Sequence, residues 1–91
     1  MNKIELVEKI ALDLGVTKVL AGQFVQSFVD NVTDELANGG EVALLGFGTF
    51  STKDRAARTG RNPRTGEALA IAEARLPAFK AGKALKDAVQ L

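Results

Sequence analysis

The chain has no cysteine and no histidine, and these two absences exclude a good deal of chemistry. Without cysteine, a disulfide-stapled secreted scaffold is ruled out. Without either residue the usual zinc ligand sets cannot be assembled. The commonest general base and the strongest nucleophile are missing too. Gly82-Lys83-Ala84 is the nearest approach to a phosphate loop, but alanine stands where the hydroxyl residue belongs. Gly46-Phe47-Gly48 is half a dinucleotide fingerprint and lies between strands rather than between strand and helix. The sequence therefore points to no catalytic residue, no metal and no cofactor. No apolar signal-type stretch follows Met1-Asn2-Lys3-Ile4-Glu5. Nor is any run as long as the roughly 18 apolar residues of a membrane span. A cytoplasmic location with no membrane partner is expected, which makes the Asn31-Val32-Thr33 sequon a chance match.

Tryptophan and tyrosine are absent as well, leaving five phenylalanines as the only aromatic residues among 91. A chain this short with so few large rings has little material for a core of its own. Self-association is the expected remedy, since disulfides and zinc are excluded.

The whole chain also lacks a large excess of one sign, its net charge being only +1. That balance conceals a division. Residues 1–52 carry three lysines against seven carboxylates, net −4, and residues 53–91 carry nine bases against four acids, net +5. Such asymmetry points to a polyanion partner for the second half.

Ile4, Val7, Ile10, Ala11 and Leu14 recur at helical spacing, so a helix is predicted over residues 3–14. Asn2 is its cap, with Glu5 three positions on, and Gly15 its stop. A second helix is predicted from Thr17, its cap, to about Asn38. Its apolar set is Ala21, Phe24, Val25, Phe28, Val29, Val32 and Leu36, a stripe wide for a surface helix. The period then changes. Residues 41–45 read as a strand, Gly46-Phe47-Gly48 as a turn and residues 49–52 as the returning strand. From Lys53 to Gly66 the apolar side chains are Ala56, Ala57 and Pro63 alone, among five bases and one acid. Asn62-Pro63-Arg64-Thr65-Gly66 has strong turn chemistry. Residues 52–75 therefore read as a long two-stranded ribbon folded at Pro63, whose tip buries no core. Pro77 and Phe79 bring the chain back. A short helix over about 82–90 ends it, with Leu85 and Val89 predicted to face inward.

Nine extended residues, Thr52 to Gly60, span about 30 Å, enough to reach round a duplex. Arginine suits a narrow, electronegative minor groove, and an apolar proline at the apex suits insertion between base steps. Lys3, Lys18 and Lys83 each stand near a predicted helix start. A cation there opposes the helix dipole, a placement that makes sense if an anion is held at each start by lysine and free N–H groups. These features leave three readings open: a duplex-DNA binder, a binder of structured RNA, and a dimerisation module with an exposed loop.

Three stretches carry a resemblance. They are Gly46-Phe47-Gly48-Thr49-Phe50; Arg55-Ala56-Ala57-Arg58-Thr59-Gly60-Arg61-Asn62-Pro63 with Thr65-Gly66; and Pro77-Ala78-Phe79-Lys80-Ala81-Gly82-Lys83-Ala84-Leu85-Lys86. In register over nearly the whole chain, these resemble the bacterial HU and integration host factor family. The resemblance implies an α+β intertwined dimer with a helical body, a three-stranded β-saddle and a long protruding β-ribbon arm per subunit. Residues 1–40 would be the helical dimerisation region, 41–81 the sheet and arm, with the arm at about 52–75, and 82–91 the C-terminal helix. Pro63 would be the DNA-intercalating wedge. Arg58, Arg61, Asn62 and Arg64 would contact the minor groove, and Lys53 and Arg55 would line the arm. Lys3, Lys18, Lys80, Lys83 and Lys86 would contact phosphates. Phe28, Phe47, Phe50 and Phe79 would belong to the dimer core. The implied partners are double-stranded DNA, bent or nicked by preference, and a second copy or a paralogue. The implied function is that of a histone-like nucleoid protein that bends DNA with little sequence preference. The alternative is a sequence-selective bending cofactor of integration host factor type. The lack of a longer basic tail after Leu91 leans toward the HU-like side.

Overall fold

A computed structural model describes residues 1–91, which form two compact units, Met1–Asp34 and Glu35–Leu91. The architecture is α+β. The first unit holds helix α1 (Lys3–Leu14) and most of helix α2 (Lys18–Ala37). Asn2 caps α1, its side chain accepting the Glu5 N–H at 2.9 Å. Gly15, at φ 65°, closes the helix in the left-handed conformation that glycine adopts without penalty. Thr17 Oγ1 accepts the Leu20 N–H at 3.1 Å and starts α2, as the capping pattern predicts. The two helices run antiparallel. Lys3 Nζ reaches Gln26 Oε1 at 2.9 Å, and Lys18 Nζ lies 3.9 Å from Glu8 Oε1. Each helix buries one small residue: Ala11 is 6% exposed and Ala21 fully buried.

The second unit opens with the end of α2 and continues through strands β1 (Val42–Leu44), β2 (Gly48–Arg55), β3 (Arg58–Arg61), β4 (Ala68–Ile71) and β5 (Ala74–Ala81) to helix α3 (Lys83–Ala88). β1, β2 and β5 form an antiparallel sheet in that order, and β3 pairs with β4 alone. The turn from β1 to β2 is closed by Phe47 N–H to Leu44 O at 3.0 Å. Gly48 then packs against the edge of the Phe79 ring and the Lys80 carbonyl: a Cβ on it would collide with Phe79 Cζ and lie 2.6 Å from Lys80 O. Phe79 in turn stacks obliquely on Phe47 and Phe50, with centroids at 5.5 and 4.7 Å.

Several sequence expectations need correction here. The ribbon is not one continuous ladder over residues 52–75: pairing lapses at Ala56-Ala57 and Ala72-Glu73 and resumes at Arg58↔Ile71. The register carries through unchanged from Arg55↔Ala74, so the lapse is a local loosening where small side chains offer nothing to pack across the strands. Pro77 lies within β5, opposite Thr52, instead of after the strand. It is tolerated because β5 is an edge strand, where a missing N–H need not break the sheet. The C-terminal helix is shorter than predicted, and Val89, just past its end, is 67% exposed in the single chain rather than turned inward. No helix is long and apolar enough to cross a membrane.

Candidate nucleic-acid interface

Strand alternation sorts the sheet into two chemically distinct faces. Thr49↔Lys80, Ser51↔Ala78, Lys53↔Leu76 and Arg55↔Ala74 are direct cross-strand pairs, and directly opposed residues share a face. Lys53, Arg55 and Lys80 therefore project from one face, on which the β2 and β5 pairs include no carboxylate. The other face carries Phe50 and Phe79, followed toward the arm by the exposed pair Arg75–Asp54 at 3.6 Å. The alternation thus places three exposed bases on the side opposite the phenylalanines. Arg55 also spans the gap in the ribbon, its Nη2 donating to Ala72 O at 3.1 Å.

Beyond the gap, β3 and β4 form a short ribbon with arginine on both faces. Arg58 shares a face with Gly60, Leu69 and Ile71, and Arg61 shares the other with Thr59, Ala68 and Ala70. Ile71 lies over Gly60, so a Cβ at Gly60 would meet Ile71 Cδ1 at 3.1 Å. This small apolar seat steadies an otherwise coreless ribbon and was missed in the sequence. Its one signal was a glycine inside a strand pattern.

The tip is built around Asn62. Its N–H donates to Glu67 O at 2.8 Å, its carbonyl accepts from Gly66 N–H at 2.7 Å, and its Oδ1 accepts from Arg64 N–H at 2.9 Å. This is an Asx turn, in which the short amide side chain imitates the backbone. Asn62, expected to contact a groove, has its side-chain oxygen committed to shaping the turn. The ladder's midpoint falls between Arg64 and Thr65, so the fold-back lies past Pro63 rather than at it. Pro63 is held inside the Asx turn and is exposed, as are Arg58, Arg61 and Arg64. Arg61 Nη1 donates to Gly66 O at 3.2 Å, bracing the far side of the turn.

Lys3, Lys18 and Lys83 are the first residues of α1, α2 and α3. At each start the first two N–H groups have no acceptor within the chain. Lys3 and Lys18 nevertheless turn their ammonium groups to Gln26 and Glu8. Lys83 makes no such bond, nor do Lys80, Lys86 and Lys53. The start of α3 is docked by backbone alone: Gly82 N–H donates to Phe47 O at 2.8 Å and Leu85 N–H to Gly46 O at 3.2 Å. A Cβ on Gly82 would lie 2.7 Å from Gly46 O, so only glycine permits this approach. Of the second-half bases, Arg75 has a different role. Its Nη1 reaches Ala37 O at 3.4 Å, tying the C-terminal end of α2 to the base of the ribbon.

Phe47 and Phe79 remain 46% and 42% exposed in the single chain, and Phe28 46%. Phe50 is half-buried.

The family described as Bacterial DNA-binding protein matches residues 1–90. DNA-binding protein HU-beta of Salmonella typhimurium is 55% identical over 89 residues, covering 98% of this chain and 99% of that one. DNA-binding protein HU of Lactococcus lactis is 55% identical over 89 residues, with 98% of each chain covered. Among solved structures, Anabaena HU in a cocrystal with DNA superposes with a TM-score of 0.89 at 40% identity, covering 98% of this chain and 97% of that one.

Proposed function

Because the chain belongs to the bacterial DNA-binding protein family, as an HU-type member, we propose that it works as a dimer that binds and bends double-stranded DNA in the nucleoid, with little sequence preference. The matching relatives above are HU proteins, and the sequence-selective alternative is not favoured. One observation carries the mechanism: an exposed proline held in a hydrogen-bonded turn, with arginines on both faces of the ribbon behind it.

In the proposed mechanism, the ribbon lies in the minor groove, where Arg58, Arg61 and Arg64 meet concentrated negative potential. Pro63 enters a base step. Its ring is apolar and it has no N–H to desolvate, so insertion sacrifices no hydrogen bond. Unstacking the step costs a few kcal/mol, offset by the extra protein surface that bent DNA can touch. Lys53, Arg55 and Lys80, on one sheet face, then neutralise phosphates along the path. Lys83 and Lys86, with the open N–H groups at the start of α3, hold the flanking backbone. Lys3 and Lys18 serve the same end after exchanging Gln26 and Glu8 for phosphate.

Dimerisation is supported by surface area. The chain exposes 7435 Å², whereas a compact monomer of 9.6 kDa exposes about 5,100 Å². The excess is of the order an obligate interface removes. Part of it belongs to the ribbon, and the rest includes Phe24, Phe28, Val29, Phe47 and Phe79. These residues are assigned to the interface with a second copy or a paralogue.

Gel-shift competition among intact duplex, nicked duplex and structured RNA tests the reading. Nicked duplex should compete best, since a nick lowers the unstacking cost in advance. Preference for RNA, or equal competition by all three, would overturn it.

A further inference from the structure

The four asparagines of the chain differ in what their side chains can do. Asn2 Oδ1 accepts the Glu5 N–H. Asn31 lies inside α2 and donates to Ser27 O at 2.7 Å and to Ser27 Oγ at 3.2 Å. Asn62 is locked in the Asx turn and precedes Pro63, whose nitrogen carries no hydrogen. Asn38 is exposed, just beyond the last residue of α2, and its side chain makes no hydrogen bond. It is followed by Gly39, exposed and at φ 81°, with no side chain to shield its amide nitrogen.

We propose that Asn38-Gly39 is a self-modifying site, which converts by intramolecular deamidation to aspartate and isoaspartate. The Gly39 nitrogen loses its proton and bonds to the Asn38 side-chain carbonyl carbon. The bond from that carbon to the amide nitrogen breaks, and ammonia leaves with the proton. Water then opens the resulting cyclic imide at either carbonyl. Opening at one restores the normal backbone as aspartate; opening at the other leaves an isoaspartate with one more carbon in the main chain. No oxidant or metal takes part. The Gly39 N–H is held by Leu36 O at 3.0 Å, so reaction proceeds through fraying of the last helical turn, the least protected part of a helix.

The product places a carboxylate at the negative end of the α2 dipole, an unfavourable position. Arg75 is the cation at hand. Its Nη1 reaches Ala37 O at 3.4 Å and lies 3.8 Å from where a Gly39 Cβ would stand. Its Nε is already shared with Asp54 at 3.6 Å. The new charge therefore competes with Asp54 for Arg75 at the base of the ribbon.

The test is ageing of the purified full-length protein at mildly alkaline pH, followed by fragmentation mass spectrometry and labelling with an isoaspartyl methyltransferase. The expected result is an amide-to-acid mass gain confined to residue 38, with isoaspartate the larger product, and no labelling in Asn38→Gln. Retention of the amide in the folded protein, while the same protein in denaturant converts, would overturn the proposal. The role of Arg75 has its own readout. Asn38→Asp should lower Tm, and lower it further in an Arg75→Gln background. An equal drop in both backgrounds would remove Arg75 from the inference.

Discussion

In the proposed mechanism Pro63 and Lys83 make two kinds of contact, and their replacement should separate bending from binding. Pro63 is exposed and contributes nothing to a core, so Pro63→Ala should leave the dimer as stable as before. It should reduce bending and shrink the preference for nicked duplex, while most charge-driven binding to linear duplex survives. Energy transfer between the ends of a short labelled duplex measures this; an unchanged bend would make Pro63 only a turn residue. Lys83→Ala should instead weaken every DNA sequence alike and flatten the salt dependence by about one unit of slope. A changed sequence preference would contradict the phosphate assignment. The basic residues themselves were legible in the sequence, because charge clustering needs no fold to be seen. The bonds that Asn62 makes to Arg64, Gly66 and Glu67 were not. Its Oδ1 is used by the turn while its Nδ2 makes no bond within the chain, a division of the amide that only the closed turn shows.

At the level of elements, the critical junction is the one between the β1–β2 turn, β5 and α3. Gly48 lies against the Phe79 ring and Gly82 against the Gly46 carbonyl, which leaves no room for a methyl group at either position. Gly48→Ala should destabilise the fold by about 1–3 kcal/mol, the usual cost of overpacking, measured by urea unfolding. Stability equal to the parent would mean that the Phe79 ring and the Lys80 carbonyl can both move aside freely. Helix boundaries were readable from Asn2, Gly15 and Thr17 because capping is local chemistry. The lapse of pairing at Ala56-Ala57 was not readable: alanines neither forbid a strand nor hold one, so the outcome depends on what lies across the ribbon.

At the level of the whole molecule, two measurements bear on the assembly. Sedimentation at micromolar concentration should give a folded dimer; a stable, cooperatively folded monomer would refute the interface assignment for Phe28, Phe47 and Phe79. If the dimer neutralises about eight phosphates, log K should fall against log salt with a slope of about −7. A slope near zero would exclude backbone-dominated binding. By itself the sequence determined the chemistry available: no thiol or imidazole, a basic second half, capped helices and a proline in a polar turn. These follow from residue identity and short-range spacing. Tertiary structure decided which bases share a face across strands, because only the register of β2 with β5 brings Lys80 to the side of Lys53 and Arg55. It also assigned Arg75 to the end of α2, Asn62 to the turn and Ile71 to its seat on Gly60. Each of these depends on a residue distant in the chain, or on a turn already closed, which local pattern cannot specify.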